Sequence, residues 1–309
     1  MLNLLIFLHF FIIFAEQPIN LIQMDKYTHK NQKEQSKKIR LYNIAIYPEE
    51  CQSPERYTEL FKAVKEKKIR INTYSDKNTR IRTLYEHDGL IYGSLINYTK
   101  LNEEGWFNEE TEEIEDVNIN PNLNPNSKEW EYFFLPQAHR LAIFEDANTS
   151  SSQIAYFFEE ALNKVTDKNK GENVKVNIVA TEDAIEKIFN AVQLTNLEIK
   201  VSYTNNDNND EWEAIIDEQM KESEVSIVST KVSGTKKKPI KLKKKTFLGG
   251  MLKLSRENGY AKATAYFDGK RDVINTKEHP LIDEVRYENE DSLLDKIKSR
   301  ILSLSKRHE

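Results

Sequence analysis

The sequence predicts an α+β fold in which helices pack on mixed sheets, with an N-terminal β-rich part and a C-terminal α/β part. Apolar and polar residues alternate over 39–47, the pattern of a strand. Asp88-Gly89 separates two further alternating runs, which is a strong hairpin signal because glycine readily adopts the positive φ of the turn. Strand and helix patterns then alternate over 130–230, as expected where helices pack on a sheet.

The N-terminal elements follow from capping residues and spacing. The first strand stops at Pro48. Ser53-Pro54 then starts a helix, because serine caps the free N–H groups and proline fits the first helical position. The apolar residues of this helix recur at helical spacing: Tyr57, Leu60, Phe61 and Val64.

The C-terminal elements alternate in type. Pro136 separates two strands, and Thr181 caps a short helix. A helix over 247–258 ends at Gly259 as a C-cap, and Asp268-Gly269 turns a second hairpin. The remaining helices are predicted over 153–165, 183–192, 211–222 and 291–306, and the remaining strands over 174–180, 196–204, 224–230 and 281–289.

These elements divide the chain into successive parts. Residues 1–37 form a leader, 38–101 an N-terminal β-rich part, 102–131 an acidic loop rich in Asn and Pro, and 132–309 an α/β part that contains the basic loop 231–245. The acidic loop carries ten acidic residues, one lysine and two Asn-Pro pairs. Such a composition favours a long loop or linker over a packed element.

The leader leaves the destination of the chain open. Its apolar run over 2–15 is shorter than the ~20 residues that a membrane span needs, so no stable span is predicted. It is a signal-like segment, a lipid-contacting anchor, or translated upstream sequence in front of a start at Met24. The single cysteine, Cys51, indicates a reducing compartment. We therefore expect a cytoplasmic protein, or a secreted or membrane-associated one if residues 1–15 act as a signal or anchor.

The most unusual feature is a lysine run in a chain of formal net charge −5. Eight of the fifteen residues over 231–245 are lysine: Lys231, Lys236, Lys237, Lys238, Lys241, Lys243, Lys244 and Lys245. Such a run attracts nucleic-acid phosphates through counterion release, independently of base sequence. The alternatives are an anionic membrane, a protein partner, a solvated loop, or pairing with the acidic residues of 103–116, which could mask the run.

Glu198-Ile-Lys200 suggests a metal-dependent nuclease as an alternative function. Two residues apart on a strand, Glu198 and Lys200 point to the same face, where the carboxylate could hold Mg²⁺ and the lysine could steady the attacking water. The second acid that such a site needs would be Asp183, although the first turn of a helix also explains an acid there. An ordinary half-buried strand explains the same pattern.

No catalytic signature accompanies these residues. The sequence has no phosphate-binding GxxxxGK[ST] loop, no GxGxxG fingerprint, no nucleophile elbow and no HExxH. The six histidines are scattered, without the spacing of a local metal site. Glu49-Glu50 beside Cys51 would raise the pKa of the thiol rather than activate it. The sequence therefore predicts no cofactor or metal, and it leans against an enzyme.

Two short steps, Asn258-Gly259-Tyr260 and His279-Pro280-Leu281, resemble the DUF4747 family, a bacterial domain of unknown function. The strand at 39–47 and the block RLAIFE at 140–145 stand where that family would place them, so the resemblance covers about 38–304. It implies no catalytic residues. A fainter likeness in layout to phage-exclusion and phage-defence DNA-binding proteins implies a nucleic-acid partner.

The favoured function is therefore non-catalytic nucleic-acid binding through the lysine run, with phage defence as the setting that the likeness implies. One alternative is the Mg-dependent nuclease. The other is a protein-interaction module without nucleic-acid binding, in which Trp106 and Phe107 anchor a partner.

Overall fold

The computed structural model describes residues 34–146, 150–203 and 211–305 of the 309-residue chain. Within these ranges it contains six α-helices and fourteen β-strands. The strands form an eight-stranded sheet, a four-stranded sheet and a two-stranded hairpin. The predicted α+β class, with helices packed on sheets, is confirmed.

The eight-stranded sheet is built around the first strand. Its members are β1 (Gln35–Tyr47), β2 (Ile71–Tyr74), β3 (Lys77–His87), β4 (Leu90–Thr99), β7 (Lys128–Leu135), β8 (Arg140–Phe144), β9 (Asn173–Ile178) and β14 (Ile282–Tyr287). The order is β14, β1, β8, β7, β4, β3, β2, and β9 pairs with the second half of β1. Every neighbouring pair is antiparallel.

Helices cover both faces of this sheet around β1. The helices α1 (Pro54–Glu66) and α2 (Ser151–Asn163) pack on one face, and α6 (Glu290–Ser305) packs on the other. Residues 39–46 of β1 are therefore all buried, so the alternation does not mark an exposed face, and Arg40 and Asn43 are buried with the apolar residues. The predicted strand over 39–47 is confirmed.

The caps and turns predicted for the N-terminal part are confirmed. Ser53 Oγ accepts a hydrogen bond from the N–H of Arg56 at 3.1 Å, and Pro54 occupies the first turn of α1. The buried residues of α1 are the predicted four: Tyr57, Leu60, Phe61 and Val64. Asp88 and Gly89 have φ of 47° and 75°, as a two-residue turn between β3 and β4 requires.

The four-stranded sheet carries helices on one face. Its strands are β10 (Gln193–Ser202), β11 (Ile227–Ser233), β12 (Gly259–Phe267) and β13 (Lys270–Asn275), and its helices are α3 (Glu182–Phe189), α4 (Glu211–Glu222) and α5 (Phe247–Asn258). The order is β11, β10, β12, β13, all antiparallel. Apolar residues from all three helices form one core with the inner face. The outer face carries polar, basic and aromatic side chains, most of them solvent-accessible.

Gly259 marks the junction between α5 and β12. It is the helix C-cap, as predicted, but its φ of 170° is extended rather than left-handed. The reason for glycine here is space, since a Cβ would lie 1.8 Å from the backbone oxygen of Lys200 on β10. The glycine therefore lets β12 start directly beside β10.

A buried polar network ties the two large sheets together. The Arg140 guanidinium of β8 donates to Asn43 Oδ1 on β1 and pairs with the Glu257 carboxylate at the end of α5. Asn43 Nδ2 donates to Asn258 Oδ1 at 2.9 Å, and Ser202 Oγ donates to Asn258 O at 3.0 Å. These bonds hold the start of β12 against β1, β8 and β10.

The acidic segment 102–131 contains structure that its composition did not predict. Strands β5 (Trp106–Asn108) and β6 (Glu113–Glu115) form a short hairpin, too brief for a periodic signal. Residues 128–131, predicted as loop, are the start of β7, which pairs with β4 in the eight-stranded sheet. The predicted division of the chain at 102–131 stays a prediction.

Most of the leader, residues 1–33, lies outside the described residues, and so do the interpretations that rest on it. Among the helices that the structure describes, none is long and apolar enough to cross a membrane.

Candidate nucleic-acid interface

The predicted lysine run is a strand end followed by an anchored loop. Lys231 lies on β11, and residues 234–246 connect β11 to α5. The N–H of Gly234 donates to Thr195 O at 2.7 Å, and the N–H of Ile240 donates to Leu194 O at 2.8 Å. The loop therefore continues along the edge of β10.

Apolar residues inside the loop hold its lysines outward. Ile240 and Leu242 pack against the core of the four-stranded sheet, and all eight predicted lysines are exposed. Within the described part of the chain, Lys244 is the one member that forms an ion pair, with Glu186 of α3 at 2.5 Å. Lys244 also lies 5.6 Å from the ring of Phe189 on α3, so this end of the run faces the helices.

Lys231 lies on the outer face of the four-stranded sheet, together with the outward-pointing residues of β10 and β12. Strand alternation sends Leu197, Ile199 and Val201 of β10 into the core, so Glu198 and Lys200 point outward. On β12 the three alanines at 261, 263 and 265 are buried, and the residues between them point outward. We call this outer surface the open face.

The open face is basic and carries two tyrosines. Its basic residues are Lys200, Lys231, Lys262 and Arg271, extended by Lys236 of the loop and Lys277 after β13. Its tyrosines are Tyr260 and Tyr266 on β12. Glu198 is its acidic residue among the strand positions. None of the six basic side chains pairs with a carboxylate within the described ranges, so their charge is available to an anion.

Each tyrosine of the open face has a lysine over its ring. Lys236 Nζ lies 3.9 Å from the ring centroid of Tyr266, and Lys277 Nζ lies 4.1 Å from that of Tyr260. The Tyr260 hydroxyl donates to Glu198 Oε1 at 3.1 Å. Partial burial and this carboxylate both raise the pKa of Tyr260, so the ring stays neutral at physiological pH.

The structure brings together only part of the predicted nuclease site. Glu198 and Lys200 share the open face, as predicted. Asp183 lies in the first turn of α3, whose buried residues Ile185 and Ile188 pack on the opposite face of the sheet. Among the described residues, no group of three or more His, Cys, Asp or Glu side chains could hold a metal ion.

The motifs that carry the family resemblance have structural roles around this face. Asn258 bonds to Asn43, Gly259 permits the close strand approach, and Tyr260 begins the outer row of β12. The N–H of Leu281 donates to Val179 O at 2.7 Å, which fixes the second motif beside β9.

Several residues of the open face were not predicted as site residues: Tyr260, Lys262, Tyr266, Arg271 and Lys277. For Tyr260, Lys262 and Tyr266 the signal was the alternation in YAKATAYF, where alanines and larger polar or aromatic residues take opposite faces. That pattern does not say which face the helices cover, so the sequence could not mark it as a surface.

The acidic segment 103–116 makes no hydrogen bond or ion pair with the lysine loop in the described part of the chain. Its hairpin instead exposes Trp106, Phe107 and Ile114, which are 40%, 62% and 77% accessible. Masking of the lysine run by this segment stays a hypothesis.

Comparison with known proteins finds one matching family model. A model of the family described as domain of unknown function (DUF4747) matches residues 37–303, a range that includes every residue of the open face. No curated protein matches the chain.

Proposed function

The chain belongs to the DUF4747 family, a domain of unknown function, and we propose that it binds single-stranded nucleic acid, without catalysis, on the open face of its four-stranded sheet. The observation that carries this proposal is the row of Tyr260 and Tyr266 on one strand, surrounded by unpaired basic side chains. Basic grooves that track the backbone and aromatic rings that stack on bases are the two elements of single-strand binding.

The energetics favour bases over the lysines that now cover the rings. An exposed cation–π contact contributes about 0.5–1 kcal/mol, whereas stacking of a base on an aromatic side chain contributes about 1–3 kcal/mol. A base that stacks on Tyr266 therefore gains more than the displaced Lys236 loses. The freed ammonium then lies beside the phosphate of the same nucleotide, so the two contacts support each other.

The geometry favours a single strand over a duplex. Tyr260 and Tyr266 are six residues apart on an extended strand, which is about 20 Å. Rings on a sheet surface can stack on bases only when those bases are unstacked and turned outward. Duplex bases lie inside the helix, so a duplex would contact the lysines and leave the rings unused.

Fluorescence anisotropy with labelled single-stranded DNA, single-stranded RNA and duplex DNA across a salt series tests the proposal. We expect single strands to bind more tightly than the duplex. The variant Tyr260→Leu/Tyr266→Leu keeps apolar volume but removes both π faces, and we expect it to weaken single-strand binding by about tenfold or more for each tyrosine.

Tyr74→Leu is the matched control, because Tyr74 is 67% accessible on β2, in the other sheet. Circular dichroism confirms that the variants are folded. Equal affinity of wild type and the double variant would reject the open face as a base-stacking surface. Adding Mg²⁺ to the same samples tests the nuclease alternative, since cleavage that Glu198→Gln abolishes would replace the binding proposal with an enzyme.

The exposed hairpin of β5 and β6 favours a second candidate function, docking of a protein partner. Its apolar side chains stand among acidic ones, so we propose a partner segment that is both basic and apolar. Deletion of 103–116 should remove such a partner and leave oligonucleotide affinity unchanged. Tighter oligonucleotide binding after the deletion would instead support masking of the lysine run.

A role in phage defence would follow if infection supplies the single strands that the open face binds. Plating efficiency of phage on cells that express the wild type or Tyr260→Leu/Tyr266→Leu tests this extension. Protection by the wild type that the double variant loses would support it, and equal plating on both would reject it.

A further inference from the structure

The open face ends in a cleft between the two large sheets. Residues of α2 and β9 form one wall, and residues of β10 and β12 form the other. The cleft has a volume of about 390 Å³, within the range of small-ligand sites. Its lining includes Lys200, Lys277, Tyr156, Tyr260 and Asn177.

Two positive charges meet in this cleft without a carboxylate partner. Lys200 and Lys277 make no ion pair in the described part of the chain. The pKa of Lys277 is lowered, first because neighbouring atoms displace water from its ammonium and second because the charge of Lys200 is close. A doubly charged anion between the two lysines would relieve this repulsion.

Glu159, the acidic residue that lines the cleft, already has partners within the protein. Glu159 pairs with Lys175 at 2.5 Å, and its other oxygen accepts the N–H of Val176 at 3.0 Å. Lys175 offsets the charge of Glu159, which still acts to raise the pKa of Lys277, so the positive charges of Lys200 and Lys277 remain in excess in the cleft. Ser152, in the first turn of α2, also lines it and places the positive end of that helix nearby.

Aromatic rings flank the two lysines. Tyr260 forms part of the wall under Lys277, and Tyr156 on α2 is 49% accessible at the opposite wall. The cleft is larger than a phosphate group needs, and its rings provide surfaces on which a base can stack.

We propose that this cleft binds the phosphomonoester of a nucleotide, either at the end of a single strand on the open face or as a free mononucleotide. A phosphomonoester carries a charge of about −1.5 to −2 at neutral pH, which two lysines match better than they match the single charge of a phosphodiester. The cleft thereby distinguishes a phosphorylated strand end from a hydroxyl end. Binding of the end of a nucleic-acid strand in this cleft rests on the proposed function of the open face.

The test uses the full chain and five probes. Anisotropy compares a 5′-phosphorylated, a 3′-phosphorylated and an unphosphorylated single strand of one sequence. Calorimetry compares adenosine 5′-monophosphate with adenosine. We expect one phosphorylated strand to bind about tenfold more tightly than the unphosphorylated one, and the monophosphate to bind where adenosine does not.

Paired variants assign the effect to the cleft. Lys200→Gln/Lys277→Gln should remove the preference for a terminal phosphate. Lys262→Gln/Arg271→Gln removes equal charge from the open face outside the cleft, and it should weaken all strands equally while the preference remains. This comparison distinguishes a specific site for the terminal phosphate from nonspecific electrostatic attraction of the strand.

The outcomes separate this inference from the proposed function. Unphosphorylated strands that bind, with no advantage for any phosphorylated end and no binding of the monophosphate, would overturn the cleft site and leave the proposed function intact. Binding of the monophosphate without binding of any strand would reject the proposed function and support a mononucleotide site. A phosphate preference that survives in Lys200→Gln/Lys277→Gln would also overturn the assignment to this cleft.

Discussion

Asn43 and Asn258 share a buried hydrogen bond, in which Asn43 Nδ2 donates to Asn258 Oδ1 at 2.9 Å although the residues are 215 positions apart in sequence. The bond joins β1, the strand that pairs with β8, β9 and β14, to the end of α5. Because Gly259 and Tyr260 follow directly, the same contact positions the first tyrosine of the open face and one wall of the cleft.

Loss of Glu257 should destabilise the protein strongly. Its carboxylate and the Arg140 guanidinium are 6% and 3% exposed, so Glu257→Ala removes the carboxylate that pairs with a buried cation. We expect the free energy of unfolding to fall by about 3–5 kcal/mol in urea denaturation. Glu186→Ala breaks the more exposed pair with Lys244 and should cost about 1 kcal/mol or less. Similar losses in the two variants would contradict a structural role for the buried network.

Two glycines of the α5 region should respond differently to alanine. In Gly259→Ala the new Cβ meets the backbone of Lys200 at 1.8 Å, so strands must separate and we expect a loss of about 3 kcal/mol or more. In Gly250→Ala the nearest atom is Cδ1 of Ile216 at 2.8 Å, a side-chain end that can move, and the Cβ and backbone oxygen of Trp212 follow at 3.1 and 3.2 Å, where a shift of a few tenths of an ångström suffices. A gain of about 1 kcal/mol in helix propensity offsets that crowding. Thermal unfolding of both variants measures the difference, and equal midpoints would contradict this account.

The two ends of the lysine run should contribute unequally to nucleic-acid binding. Lys231 and Lys262 lie on the open face, and Lys236 extends it. Lys244 instead pairs with Glu186 on the side of the sheet that the helices cover. We expect a Lys231, Lys236, Lys262→Gln variant to reduce the slope of log affinity against log salt by about 2, at about 0.7 for each single-strand contact.

A Lys243, Lys244, Lys245→Gln variant removes the same number of charges and serves as the comparison. We expect its slope to change by less, because this end of the run borders α3. The reverse ranking would place the nucleic acid on the helix side instead of the open face.

Acid should destabilise the protein through His139. Burial, aided by the charge of Arg140, lowers the pKa of His139 to about 4, whereas an unfolded histidine titrates near ~6.5. Between these values the unfolded state binds more protons than the folded state. Stability is therefore lost as pH falls from about 6.5 to 4, by as much as ~3 kcal/mol.

Urea denaturation of His139→Gln across this pH range tests the assignment. The variant lacks the titrating ring, so its free energy of unfolding should fall less steeply than that of the wild type. His87→Gln, at an exposed position in β3, should retain the full pH dependence. An unchanged slope in His139→Gln would assign the acid sensitivity to other groups.

Local features of the fold were predictable because they depend on near neighbours in the chain. Ser53 and Thr181 cap α1 and α3 as predicted, and both Asp-Gly turns occur where the sequence places them. The alternation over 196–204 correctly placed Glu198 and Lys200 on one face of a strand. Capping and strand periodicity act within a few residues, so a sequence pattern records them directly.

The open face could not be predicted in the same way, because it depends on contacts between segments that are distant in sequence. The sequence by itself determined where most of the strands, helices and turns lie, that 231–245 is basic, and which family the C-terminal motifs resemble. Only the tertiary structure decided that α3 to α5 cover one face of the four-stranded sheet, that Lys231 joins Tyr260 and Tyr266 on the other, and that Asp183 lies apart from Glu198. The physical reason is that burial of apolar surface selects which face of each strand turns inward, and that choice belongs to the packed chain as a whole.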